Sequence, residues 1–203
     1  MVGTTSASGG AVPAPTGPRT TATSVAVAAS ATTSDPMRRP TGTATTLGAG
    51  NFTGGIDVAP GLYDVTPGAA ESGRFIVQGI DGYDEILGGA GVPRVRVQIS
   101  DGDSIGISGL YQVIFTPVSP PYVTAHAPVT LYAGTWTVGQ DLGPGAYVVT
   151  PGAGQSGELI VDAEHVDQVL GGSRGLSSVA VDLQRGDVVT ISRLGQVAMT
   201  PVG

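Results

Sequence analysis

The sequence predicts an all-β protein: two tandem small β-sandwich or barrel modules of similar fold, preceded by an extended N-terminal arm. Three observations carry that expectation. The 203 residues include 33 Gly and 15 Pro, with few long helix-forming runs, as in many short strands joined by tight turns. Val95, Val97 and Ile99 alternate with Arg94, Arg96 and Gln98, the period of a strand with one face in a core and the other in water. Finally, DVAPGLYDVTPGAAESGRFIV, residues 57–77, returns 84 residues later as DLGPGAYVVTPGAGQSGELIV, with 13 of 21 positions identical. A repeat of that length is a small domain, not a solenoid unit of a few tens of residues.

Residues 1–46 contain no Phe, Trp, Tyr, Leu or Ile. Such a segment cannot bury enough apolar surface to offset its ordering entropy, so its order must come from surfaces it lies on. Thr23 to Thr33 has β-compatible alternation around Val25 and Val27 and suits addition to a neighbour's sheet edge. Arg19, Arg38 and Arg39 against Asp35 leave the arm mildly basic. These five residues, Arg19, Val25, Val27, Arg38 and Arg39, are the expected partner contacts.

The first module spans 47–118. Leu62 to Thr66 reads as a strand with Tyr63 and Val65 on one face, ended by a turn at Pro67-Gly68. Arg74 to Gln78 is a second strand. Tyr83 to Leu87 fits either a helical turn or a short strand, closed by Gly88-Gly89. After the alternating Val95 strand, Asp101-Gly102-Asp103 reads as a hairpin turn. Ile105 and Ile107 form the next inward face, Gly109 breaks it, and Tyr111 to Thr116 is the last strand. A Pro-rich linker, 119–128, follows, stiffened by Pro120-Pro121. The second module, 129–203, repeats the plan, with Val179, Val181 and Leu183 matching Val95, Val97 and Ile99.

The shared residues have structural readings. Pro60-Gly61 and Pro144-Gly145 suit type II turns. Asp57 and Asp141 suit acceptance of backbone N–H groups in the tight loop, and Ser72 and Ser156 the same in the next turn. Tyr63 and Tyr147 are expected to bury their rings and send their hydroxyls to backbone partners. Trp136, the counterpart of Phe52, reads as a core aromatic and not a carbohydrate platform.

The chemistry-bearing residues point to no reaction. Ser72 or Ser156 as a nucleophile needs a nearby base, and the histidines are His126 in the linker and His165 in the second module alone. Asp101-Gly102-Asp103 lacks the further acidic ligands of a calcium loop, and its counterpart reads Gln184-Arg185-Gly186-Asp187. Asp162, Glu164, His165 and Asp167 read as a solvated edge. The absence of cysteine excludes disulfides and thiolate metal sites. No catalytic residue, cofactor or metal is expected, and the protein is not read as an enzyme. A net charge of −7 excludes a basic nucleic-acid groove. The longest early apolar run, Val25 to Ala29, is too short for a signal-peptide core or a membrane span, so no export signal is expected.

Thr137-Val138-Gly139-Gln140-Asp141-Leu142-Gly143-Pro144-Gly145-Ala146-Tyr147 resembles the V-G-x-D-[IL]-x-P-G-x-Y motif of small β modules. These recur in surface and secreted proteins of Gram-positive bacteria and in virion proteins of their phages. Gly186-Asp187-Val188-Val189-Thr190-Ile191-Ser192 and Thr200-Pro201-Val202 are similar to the closing strands of that family. In the first copy, Gly55 to Tyr63 carries the match. The resemblance implies a non-catalytic β module, and the family has no catalytic residues to carry over. With the arm, it leads to a structural virion protein, foremost a phage capsid decoration or minor capsid protein that binds and stabilises the shell. Its partners would be the major capsid protein or other virion subunits and further copies of itself, with assembly in the host cytoplasm. A tail tube or other virion component, and a bacterial surface module binding carbohydrate or protein, are the alternatives.

Overall fold

A computed structural model describes residues 42–79, 82–119, 122–163 and 165–203. Among them are sixteen strands and no helix. The first eight are β1 (Thr45–Leu47), β2 (Gly50–Thr53), β3 (Gly61–Pro67), β4 (Ser72–Gln78), β5 (Tyr83–Gly88), β6 (Val95–Ile99), β7 (Ser104–Ser108) and β8 (Val113–Pro117). The second eight are β9 (Val129–Leu131), β10 (Gly134–Thr137), β11 (Gly145–Pro151), β12 (Ser156–Val161), β13 (Val166–Gly171), β14 (Val179–Leu183), β15 (Val188–Ser192) and β16 (Val197–Pro201). All described residues fall in one compact unit.

In the first half, β1-β8-β3-β6 faces β2-β7-β4-β5; in the second, β9-β16-β11-β14 faces β10-β15-β12-β13. The strand order of the first eight thus reappears in the second eight. Each pair of sheets closes on its own core. Tyr63, Val65, Phe75, Val97, Ile105 and Phe115 are central to one; Trp136, Tyr147, Leu159, Leu170, Val181 and Ile191 to the other. Alternation drives this: along β5, Tyr83, Glu85 and Leu87 are buried while Asp84 and Ile86 are exposed, as the two-residue period of a strand requires.

The two halves share a sheet. The outer edge of β6 meets the outer edge of β10 in a parallel bridge, Gly134 opposite Arg96, so that β1-β8-β3-β6-β10-β15-β12-β13 forms one eight-stranded sheet.

Several sequence expectations hold at the level of single side chains. Asp57 Oδ2 accepts the Thr53 N–H and Asp141 Oδ2 the Thr137 N–H, both at 2.8 Å. The Tyr63 hydroxyl donates to the Ala59 carbonyl and that of Tyr147 to the Gly143 carbonyl, with both residues buried. Tyr83 to Leu87 resolves as a strand, and Trp136 is a buried core aromatic.

Others are corrected. Gly61 does not take a positive φ, so Pro60-Gly61 is no type II turn; the chain turns at 54–57 instead, with Gly55 at φ 82°. Asp101-Gly102-Asp103 is not a hairpin, because β6 and β7 lie in different sheets. The turn carries the chain across the sandwich, fixed by Asp103 Oδ2 on the Ser100 N–H. Ser72 does not accept a backbone N–H; its hydroxyl donates to the Gly88 carbonyl at 3.3 Å. The last strand of the first half begins at Val113 and leaves Tyr111 outside it.

Composition also misplaces the edges of the arm and linker. Thr45 and Thr46 pair with Phe115 and Ile114 in the first half's sheet. Thr43 donates its N–H to the Tyr63 hydroxyl. Its neighbour Gly42 has His126 as counterpart, and the His126 ring meets Tyr147 edge-on at 4.7 Å. The segment leading into each half therefore straps its buried tyrosine. Pro120 and Pro121 lie outside the described residues.

Candidate functional site

The most built feature of the protein is the seam between its halves. Arg96, on the outer edge of β6, was expected to face water. It is instead buried, because β10 lies alongside. Its guanidinium forks onto Asp64, Nε to Oδ1 at 2.9 Å and Nη2 to Oδ2 at 3.2 Å. Nη1 reaches Asp141 Oδ1 at 2.9 Å and Nη2 the Tyr132 hydroxyl at 3.0 Å. The same guanidinium stacks 4.1 Å from the Trp136 ring centroid, and Arg94 lies 3.7 Å over Tyr132. A buried charge is tolerated only when paired and hydrogen-bonded, and here one arginine joins two carboxylates and two rings from both halves. The Arg96 N–H also donates to the Ala133 carbonyl at 2.9 Å. Ala133, a second-half residue, is itself buried in the first half's core.

A second set of contacts closes the seam from β5. The Tyr83 hydroxyl donates to the Ile191 carbonyl, and Glu85 Oε1 accepts the Arg193 N–H. Arg193 has a φ of 60°, where its counterpart Gly109 sits at 74°. A side chain in that region is costly and persists only when the surroundings hold it; Glu85 provides the hold. The Tyr83 phenol is pushed well above its ordinary pKa, first by burial and then by the Glu85 charge.

Burial also raises the Glu85 pKa, against the Arg193 N–H and charge and the Tyr83 hydrogen bond, which lower it; Asp84 adds to the rise. A carboxyl raised in the folded state contributes its full stability below the unfolded carboxylate range and loses it as pH climbs through the folded value. Glu85→Gln keeps an acceptor for Arg193 and removes the ionisation. The stability of the natural protein relative to Glu85→Gln is therefore expected to fall as pH rises from about 4 to 7. Urea titrations of both proteins across that range measure the difference, in which the other carboxylates cancel. A flat difference would contradict the assignment.

Beside these contacts lies an open cleft of about 840 Å³, lined by Arg74, Asp84, Glu85, Ile86, Ser156, Glu158, Ser192 and Arg193 among others. Arg74 and Asp84 pair in a fork, and Arg193 Nη2 stands 3.7 Å from Glu158. Ser156 and Ser192 have no imidazole in this lining. His126 is engaged with the Ala146 carbonyl and Tyr147, and His165 is exposed at a turn with φ 52°. Asp162 and Asp167 are exposed too; Glu164 lies outside the described residues. Among the described residues no three His, Cys, Asp or Glu side chains cluster to hold a metal ion.

The expected partner contacts Arg19, Val25, Val27, Arg38 and Arg39 lie outside the described residues. Asp141 apart, the side chains that build the seam are not among those the two copies share. Arg96, Asp64, Tyr132, Trp136 and Glu85 have Ala180, Val148, Gly48, Phe52 and Gln168 as counterparts. A residue that is charged or aromatic in only one copy, as all of these but Trp136 are, is the available signal. Compared with protein-family models, curated proteins and solved structures, the chain matches none.

Proposed function

We propose that this chain is a structural virion protein, a phage capsid decoration or minor capsid protein. In this reading two β-sandwich modules of one fold, joined as a single rigid body, are held on the shell by the N-terminal arm. One observation carries it: the buried charges and rings of the seam, centred on Arg96, are all engaged in joining the halves. A protein that spends its buried polar groups on its own rigidity is suited to bracing an assembly. The resemblance of the stretch around Asp141 to β modules of phage virion and Gram-positive surface proteins supports the same class. The acidic body and mildly basic arm agree with an exterior location and a foot on the shell.

Density-purified particles from the source of this sequence provide the test. Mass spectrometry is expected to find the chain in fixed ratio to the shell protein. A chain lacking residues 1–41, which keeps the strap and β1, is expected to fold but not to attach. Absence from particles, together with binding to intact bacterial walls, would replace this reading with that of a surface-binding module.

A further inference from the structure

We propose that copies of this chain associate head to tail, each new junction repeating the geometry of the internal seam. The proposal does not depend on the virion reading.

Because the strand order recurs, each half owns both surfaces that the seam uses. The seam takes the β6 edge and the β5 side from the first half. From the second half it takes the β10 edge and the turns at 138–141 and 193–196. Among the described residues no strand pairs with the first half's counterpart of the second surface, the β2 edge with Ile56 and Tyr111 beside it. Nor does one pair with the second half's counterpart of the first surface, the β14 edge with Val169 and Leu176 beside it.

Four of the eight exposed large apolar side chains among the described residues lie on these two faces. Tyr111 is 90 % exposed, Ile56 82 % and Val169 52 %, the three most exposed of the eight, and Leu176 is 45 % exposed. Each has a counterpart at the seam. That of Ile56 is Gln140, buried next to Asp141, which holds Arg96. That of Tyr111 is Gly195, where an added Cβ would stand 3.0 Å from Pro93. Those of Val169 and Leu176 are Ile86, half-exposed, and Val92, buried, which both line the cleft beside the seam. Exposed apolar residues concentrated on two such faces mark an interaction surface, not scattered exposure.

The occupant is a second copy, because the complement of each face exists at the other end of the same chain. Most charged anchors of the seam are absent here, with Ala180 for Arg96, Val148 for Asp64 and Gln168 for Glu85. Asp141 alone of them keeps a charged counterpart, Asp57, whose Oδ2 already accepts the Thr53 N–H. β2 (GNFT) carries no charge or Pro to block its edge, and β14 (VAVDL) carries one exposed charge, Asp182, and no Pro. Such a junction is heterologous, so it closes into a ring or runs on as a filament.

Sedimentation velocity of the full chain over a range of concentrations tests this. Oligomers in integer steps are expected. Their formation should strengthen with added salt, since copies of net charge −7 repel; docking of the basic arm on an acidic body would weaken instead. Ile56→Asp and Val169→Asp each place a charge in the contact and should weaken association by roughly tenfold or more, with unchanged melting. Mixed together, the two variants retain one intact face each and should give dimers and nothing larger. A natural protein that stays monomeric at millimolar concentration, association that salt weakens, or oligomers untouched by both variants would overturn the proposal.

Discussion

Arg96→Ala is expected to lower the unfolding free energy by about 3–5 kcal/mol, the range for breaking a buried ion pair from one side. The side chain of Asp141 is fully buried and that of Asp64 mostly so. Removing the guanidinium leaves both carboxylates without their cation, the Trp136 face without the group that packs it, and the Tyr132 hydroxyl without its Arg96 donor. Asp141 cannot relax away, because its other oxygen holds the Thr137 N–H. Arg96→Lys should recover little, since an ammonium cannot fork onto Asp64 while reaching Asp141 and Tyr132. The second half suggests the better rescue. There Val148 stands opposite Ala180 across β11 and β14, where Asp64 stands opposite Arg96 across β3 and β6. Arg96→Ala combined with Asp64→Val should therefore be more stable than Arg96→Ala alone. Urea unfolding of the three proteins measures this. A loss below 1 kcal/mol would mean that the seam does not hold the halves together.

The all-β class, most strand positions and the buried tyrosines were legible because they depend on local rules. Alternation sets which face is buried, and Asp57 and Asp141 cap their turns within four residues. What was not legible depends on partners distant in sequence. Arg94, Arg96 and Gln98 have the pattern of a wet face, and nothing local distinguishes a face covered by water from one covered by another strand. Thr45 and Thr46 share the composition of the arm, yet the unpaired edge of β8 recruits them. Pro60-Gly61 has the residues of a type II turn, but the turn at 54–57 has already reversed the chain, so Gly61 opens a strand. Where fold alone is required the copies agree, as at Tyr63 and Tyr147. Where one half must meet the other they diverge, as at Arg96 and Ala180.

The halves meet most tightly in the backbone at Gly134, and Gly134→Ala is the second large expected effect. Gly134 sits opposite Arg96 with a φ of 136°, a region that side chains rarely adopt. A Cβ there would lie 2.7 Å from the Arg96 Cβ and closer still to the Arg96 backbone nitrogen and oxygen. Backbone on both sides leaves no flexible atom to yield. The strand must retreat, and the Arg96 N–H bond to Ala133 goes with it. Strain of about 1–3 kcal/mol and overpacking of about 1–3 kcal/mol predict a loss of roughly 2–6 kcal/mol in total. Gly50, its counterpart in β2, is the internal control. It pairs only with Ile107 on its inner side, and a Cβ there would first meet the Phe52 ring at 3.0 Å, a side chain with room to turn. Gly50→Ala should therefore cost clearly less in the monomer. Thermal or urea unfolding of the two alanine variants compares them directly. Equal losses would show that Gly134 answers only to its own strand, and that the contact between β6 and β10 adds little to the stability of the fold.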